Sequence, residues 1–197
     1  MSYREIFLCG LIAALLWPMQ ACGDEGLLEY PLRQEIVREK GVLVSRPNPF
    51  DTQINFIIET NRIRNIDDYC RWLKRNILFR RDKFGDHWAD PSETLKKRQG
   101  DCEDFAFLNR KVLADLGLKP RFWALVKEEG AHAICVFEKD GYYMWFDNAD
   151  LRRKKAGSLA SFARWLTQTY DVTQLEELDP QSKRWLIVYK RNGANQS

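Results

Sequence analysis

Apolar positions along this 197-residue chain first recur with a helical period and then with an alternating one. Ile54, Ile57, Ile58 and Ile63 share one face of a helix. Asp67 reads as the cap of a second helix, whose buried face is Tyr69, Cys70, Trp72, Leu73, Ile77 and Leu78. Ser92 and Glu93 open a short helical turn, Thr94 to Arg98. Phe105, Leu108, Val112, Leu113 and Leu116 then form the apolar face of a further helix, which Gly117 stops and Pro120 follows. Beyond it the pattern becomes that of strands. Phe122, Ala124 and Val126 mark one, His132 to Phe137 a second and Tyr142 to Asp147 a third. Glu128-Glu129-Gly130 and Lys139-Asp140-Gly141 are the turns between them, with Asp-Gly supplying the positive φ of a tight hairpin. Ser158 caps a helix through Phe162, Trp165, Leu166 and Tyr170, and Trp185 to Tyr189 is a last strand. N-terminal helices packed on an antiparallel sheet make an α+β domain.

The first fifty residues have a different character. Arg4 precedes an apolar run of twelve residues, Ile6 to Trp17, which is short for a membrane span and suited to a signal peptide. Met19-Gln20-Ala21-Cys22 then places a small residue before a cysteine, as a bacterial lipoprotein signal does. On that reading Cys22 becomes the lipidated first residue; ordinary cleavage near Ala21-Cys22-Gly23 is the alternative. Either route exports the chain, to the periplasmic side of a bacterial envelope and, with the lipid, onto its membrane. Residues 1–22 are thus a signal peptide, 23–50 a tether and 51–197 the domain. The tether is expected to hold a short helix, Leu32 to Lys40, closed by Pro47 and Pro49.

Composition narrows the function. Apolar residues make up 45% of the chain, which suits a packed globular core. A net charge of +3 is too mild to argue for a nucleic-acid partner, and Arg152-Arg153-Lys154-Lys155 reads as a solvated loop. Cys9 leaves with the leader and Cys22 is lipidated or lost, so Cys70, Cys102 and Cys135 remain. An odd count in an exported protein flags a free thiol. Cys70 and Cys135 fall on apolar faces, where a disulfide between them is conceivable; Cys102 does not.

Cys102 follows Gly100-Asp101, precedes Glu103-Asp104 and starts a helix. Unpaired N–H groups and the positive end of the helix dipole gather there, so a depressed thiol pKa is expected. A nucleophilic cysteine needs a base and a group that orients the base. The chain has only two histidines, His87 and His132. His87 reads as a surface residue. His132 opens one strand and Asp147 ends the strand hairpinned to it, so the two sit at the same end of the ladder. Cys102, His132 and Asp147 therefore form a candidate catalytic set, with helix-start N–H groups as oxyanion donors. Zinc ligation by the same three is a weaker reading, since no Cys-x-x-Cys pair accompanies them.

Gly100-Asp101-Cys102-Glu103-Asp104, then His132-Ala133, then Asp147-Asn148, resembles the transglutaminase-like cysteine peptidase superfamily. Trp88-Ala89-Asp90-Pro91-Ser92-Glu93-Thr94-Leu95 is similar to that family's approach to its nucleophile. The resemblance implies a papain-like, transglutaminase-type core in which Cys102 attacks, His132 is the base and Asp147 orients it. It allows Trp88 a place lining the acyl site. The Asp-Cys-Glu-Asp form resembles the bacterial transglutaminase-like cysteine proteinases, one branch of which is periplasmic, calcium-dependent and clips adhesins. In that branch acids equivalent to Asp101 and Glu103 bind calcium; capping of the helix is the alternative role for both. The chemistry itself needs no cofactor. The expected activity is hydrolysis of peptide or amide bonds in a protein of the cell envelope. The alternatives are acyl transfer that crosslinks proteins, and a silent module that holds a peptide in the same cleft.

Overall fold

The computed structural model describes residues 35–39, 42–46, 49–83 and 87–191. The expected signal peptide and Cys22 lie outside the described residues. The expected helix of the tether is instead a hairpin of β1 (Glu35–Glu39) and β2 (Val42–Arg46), paired antiparallel from Glu35↔Arg46 to Glu39↔Val42. The reason is local. Ile36, Val37, Val42 and Val44 are β-branched, which suits strands better than a helix.

The helices follow. α1 is Pro49–Thr60 and α2 is Ile66–Asn76. Asn65, not Asp67, caps α2: its side chain accepts from the Asp68 N–H at 2.9 Å, and Asp67 sits in the first turn beside the positive dipole end. Tyr69 and Leu73 are fully buried, but Leu78 has left the helix for the short strand β3 (Leu78–Phe79) and is exposed. α3 (Pro91–Lys97) starts at Asp90, whose carboxylate accepts from the N–H groups of Ser92 and Glu93. Then come β4 (Gln99–Gly100), parallel to β3, and α4 (Cys102–Asp115), which ends at Gly117 in a left-handed turn with φ of 81°.

The sheet has six strands. β5 (Arg121–Lys127), β6 (Gly130–Lys139) and β7 (Tyr142–Asp147) form the expected meander. β8 (Asp150–Lys154), β9 (Gln174–Leu178) and β10 (Trp185–Lys190) complete it, with α5 (Leu159–Thr169) between β8 and β9. The order is β10-β9-β5-β6-β7-β8, with each neighbouring pair antiparallel. The basic run 152–155 is thus mostly edge strand rather than loop: exposed positive charge blunts an open edge and so suits that place.

Strand alternation sorts the core into two halves. Cys135, Phe137 and Phe146 face α4 and pack on Phe105, Leu108, Val112 and Leu113, with Tyr69 and Leu73 of α2 behind. The intervening residues Trp123, Leu125, Ile134, Val136 and Trp145 face α5 and pack on Phe162, Ala163 and Leu166. The sheet therefore lies between two helical layers. α4 starts at Cys102, β7 ends at Asp147, and His132, expected to open its strand, lies two residues inside the start of β6.

Candidate active site

The start of α4 is tightly built. Phe79↔Gly100 in the parallel β3–β4 pair fixes where the chain turns into the helix. Gly100 has no room for a side chain: a Cβ there would lie 2.6 Å from Asp104 Cβ and 2.7 Å from Asp104 Oδ2. That close approach serves the cap. Asp104 Oδ2 accepts the Asp101 N–H at 3.3 Å, and Oδ1 accepts the Ala89 N–H at 2.8 Å. One buried carboxylate thus closes the first turn of α4 and ties it to the segment carrying Trp88. Burial pushes the Asp104 carboxyl up to about 6, against the pull of these two N–H donors.

Cys102 is the first residue of α4 and is partly buried. Its Sγ donates to Glu103 Oε2 at 3.1 Å. The expected low thiol pKa does not hold here. Burial first, and then the negative charge of Glu103, push the thiol up to about 12, with Asp101 adding to the shift. The helix terminus offers only about half a positive charge, which loses to full carboxylates on the flanking residues. The Ala133 backbone N–H faces the sulfur and pulls the other way. This contact also places the thiol beside β6, one residue from His132.

His132 Nε2 pairs with Asp147 Oδ1 at 2.8 Å; the β6–β7 register ends at Cys135↔Phe146, so the two side chains meet diagonally just past the last paired residues. The imidazole hydrogen bond, ahead of the Arg152 charge and the Tyr170 hydroxyl, holds the Asp147 carboxyl below its usual range. No hydrogen bond joins Cys102 to His132 among the described residues; the thiol is turned to Glu103. The structure therefore brings His132 and Asp147 together and sets Cys102 next to their strand.

The turn after Asp147 is anchored from the helical side. Tyr69 Oη donates to Asn109 Oδ1 at 2.7 Å, and Asn109 Nδ2 donates to the Asn148 carbonyl at 2.9 Å. Asn148 itself has φ of 53°, a left-handed position that asparagine tolerates well. Three side chains that sequence reasoning missed grip Asp147 and its surroundings: Tyr170, Arg152 and Trp145. Alternation along β7 already puts Trp145 on the same face as Asp147, and that signal was legible. Tyr170 and Arg152 arrive from α5 and β8, whose docking no local pattern shows.

Trp88 is half-buried and belongs to an aromatic group with Phe107, Phe122 and Trp185, at centroid separations of 5.6, 6.1 and 6.0 Å. Cys102 packs on the same small cluster. Trp88 and Cys102 thus border the same cluster, and Trp185 joins it unannounced by any sequence motif. Asp101 and Glu103 are both buried acids of the α4 start. His87 is exposed and pairs with Glu93 at 3.0 Å, a surface contact. Cys70 and Cys135 are free thiols; Cys70 Sγ donates to the Ala149 carbonyl at 3.6 Å.

A helix-borne cysteine set against an antiparallel sheet that carries a His–Asp couple is the plan of papain-like and transglutaminase-like proteins. The chain belongs to the transglutaminase-like domain family, whose family model matches residues 52–176. No curated protein gives a significant match. Among solved structures, a candidate cysteine protease from Cytophaga hutchinsonii matches at 17% identity and a TM-score of 0.42. That match covers 50% of this chain and 37% of the other, so the chain spans little more than a third of that protein. Calcium-bound LapG of Legionella pneumophila matches at 16% identity and a TM-score of 0.45, covering 74% of this chain and 82% of LapG.

Proposed function

We propose that the chain is an exported cysteine peptidase that hydrolyses peptide or amide bonds through Cys102, His132 and Asp147. The His132–Asp147 couple at 2.8 Å, on the strand whose next N–H faces the Cys102 sulfur, carries this reading. The imidazole takes the thiol proton, and the sulfur attacks the substrate carbonyl carbon. Backbone N–H groups at the α4 start and Ala133 hold the oxyanion. The tetrahedral intermediate collapses by expelling the amine, which leaves with the proton from His132. Water, deprotonated by His132, then opens the thioester and frees the thiol. Because the resting thiol is turned to Glu103, it must swing to the imidazole before it can react. Trp88 lines the acyl side of this cleft.

Replacing Cys102 by Ala removes the nucleophile and should abolish hydrolysis of a protein substrate. Its side chain is only partly buried, so the fold should lose no more than about 1 kcal/mol. His132→Ala should behave alike, and Asp147→Asn should leave a trace, up to about 10⁴-fold below wild type. Wild-type cleavage by the Cys102→Ala protein overturns the reading. Mass spectrometry with a labelled primary amine present separates hydrolysis from crosslinking: new peptide termini without amine incorporation are expected.

Calcium is proposed as a ligand of Asp101 and Glu103. Among the described residues no group of three or more His, Cys, Asp or Glu side chains is arranged to hold a metal. Two acids fall well short of the six to eight oxygens calcium takes, so carbonyls and water must supply the rest. Chelation with EGTA should lower activity and added calcium restore it; full activity after chelation leaves both acids as helix-start charges alone.

A further inference from the structure

The hydrogen-bond directions around Asp147 are determined by what each group can donate. Trp145 Nε1 lies 3.1 Å from Tyr170 Oη. An indole nitrogen can only donate, so Tyr170 Oη accepts there and its single proton must point elsewhere. Asp147 Oδ2 is 3.2 Å away. With its carboxyl held below the usual range, Asp147 is ionised at neutral pH and can only accept. Tyr170 therefore donates to Oδ2. Oδ1 in turn accepts from His132, which places the imidazole proton on Nε2 and leaves Nδ1 bare.

The donor is itself immobilised. Trp145 is 2% exposed and packs on Phe162 and Trp165, with centroids 5.6 Å away in both pairs. Tyr170 ends α5, its backbone N–H bonded to the Leu166 carbonyl at 2.9 Å. Arg152 Nε also approaches Oδ2, at 3.4 Å, but its side chain is half exposed, so it supplies charge more than direction. The charged and titratable groups facing Asp147 are thus His132 from β6, Arg152 from β8 and Tyr170 from α5.

The geometry points to Tyr170 as a positioning residue: its hydroxyl, aligned by the buried Trp145 indole, locks the Asp147 carboxylate and so holds His132 in the Nε2–H tautomer whose bare Nδ1 can take a proton from Cys102. This inference rests on the reading of His132 as the base. It goes further in making the second helical layer, through α5, a part of the catalytic apparatus.

The test uses the full chain, selectively labelled with ¹⁵N-histidine, at pH 8.5. Long-range ¹H–¹⁵N spectra report the tautomer of His132, and His87→Gln identifies the other signal. Turnover of p-nitrophenyl acetate reports the thiol chemistry. Wild type should show the Nε2–H pattern alone. Tyr170→Phe should give a tautomer mixture and lower kcat about tenfold, the weight of one hydrogen bond to a charged group, with KM unchanged. Added to Asp147→Ala, the same substitution should cost nothing more. Trp145→Phe, which leaves Tyr170 in place but unaligned, should give a smaller loss in the same direction. A merely structural Tyr170 would lower the melting temperature and reduce turnover equally in both backgrounds, and that result overturns the inference. So does a Tyr170→Phe protein with wild-type spectrum and rate beside an impaired Asp147→Ala protein, an outcome that leaves the catalytic set standing. Wild-type turnover in both His132→Ala and Asp147→Ala removes the underlying reading and this inference with it.

Discussion

At the scale of single residues, the nucleophile is governed by its immediate neighbours more than by its helix. Burial first, and then the charge of Glu103 with Asp101 adding to it, raise the Cys102 thiol pKa although the residue starts a helix. The sign of a substitution follows. Glu103→Gln removes a negative charge that favours the protonated thiol, so the thiol pKa should fall. Each unit of fall raises the thiolate fraction near neutral pH about tenfold. Iodoacetamide should therefore alkylate Cys102 at least several-fold faster in that variant, with Cys70 and Cys135 as internal references; an unchanged rate would show that burial alone raises the pKa. Cys102 and Glu103 were conspicuous in the sequence, but their effect on each other was not. The sign depended on burial, which no local pattern gives.

At the scale of elements, the start of α4 is the most demanding joint in the molecule. Gly100, Asp101 and Asp104 must fit together while Ala89 is held from outside. Gly100→Ala should push Asp104 out of its two hydrogen bonds. The expected cost is about 1–3 kcal/mol, the usual range for overpacking, seen as a lower midpoint in urea unfolding. A variant as stable as wild type would mean that the Asp104 side chain can yield without loss. The helices, the meander and their turns were legible because each carries its own period and its own stop signal. β8 and β9 were not. β9 buries only Leu175 fully, and β8 is an edge strand rich in charge, so neither shows the apolar alternation that betrays a strand. The β1–β2 hairpin was misread as a helix because its alternation is brief and charged residues interrupt it.

At the scale of the whole molecule, the sheet separates the nucleophile's helix from the layer that supports its partners. α4 packs on one face and α5 on the other, and the His132–Asp147 couple stands at the end of β7 with Tyr170 reaching it from α5. The anchoring of this unit to a membrane through Cys22 is a proposal from the leader alone. Cys22→Ser should release the protein from membranes and abolish labelling with a palmitate analogue; a wild-type protein that never takes the label points to ordinary secretion.

By itself, the sequence determined the α+β class, the helix that begins at Cys102 and the pairing of His132 with Asp147. These follow from short-range chemistry: apolar period, caps, turns and a hairpin only two strands long. The tertiary structure alone decided the charge state of the thiol, its hydrogen bond to Glu103 and the grip of Tyr170 and Arg152 on Asp147. Those depend on which groups lose water together, and on residues distant in the chain that meet only when both helical layers have closed on the sheet.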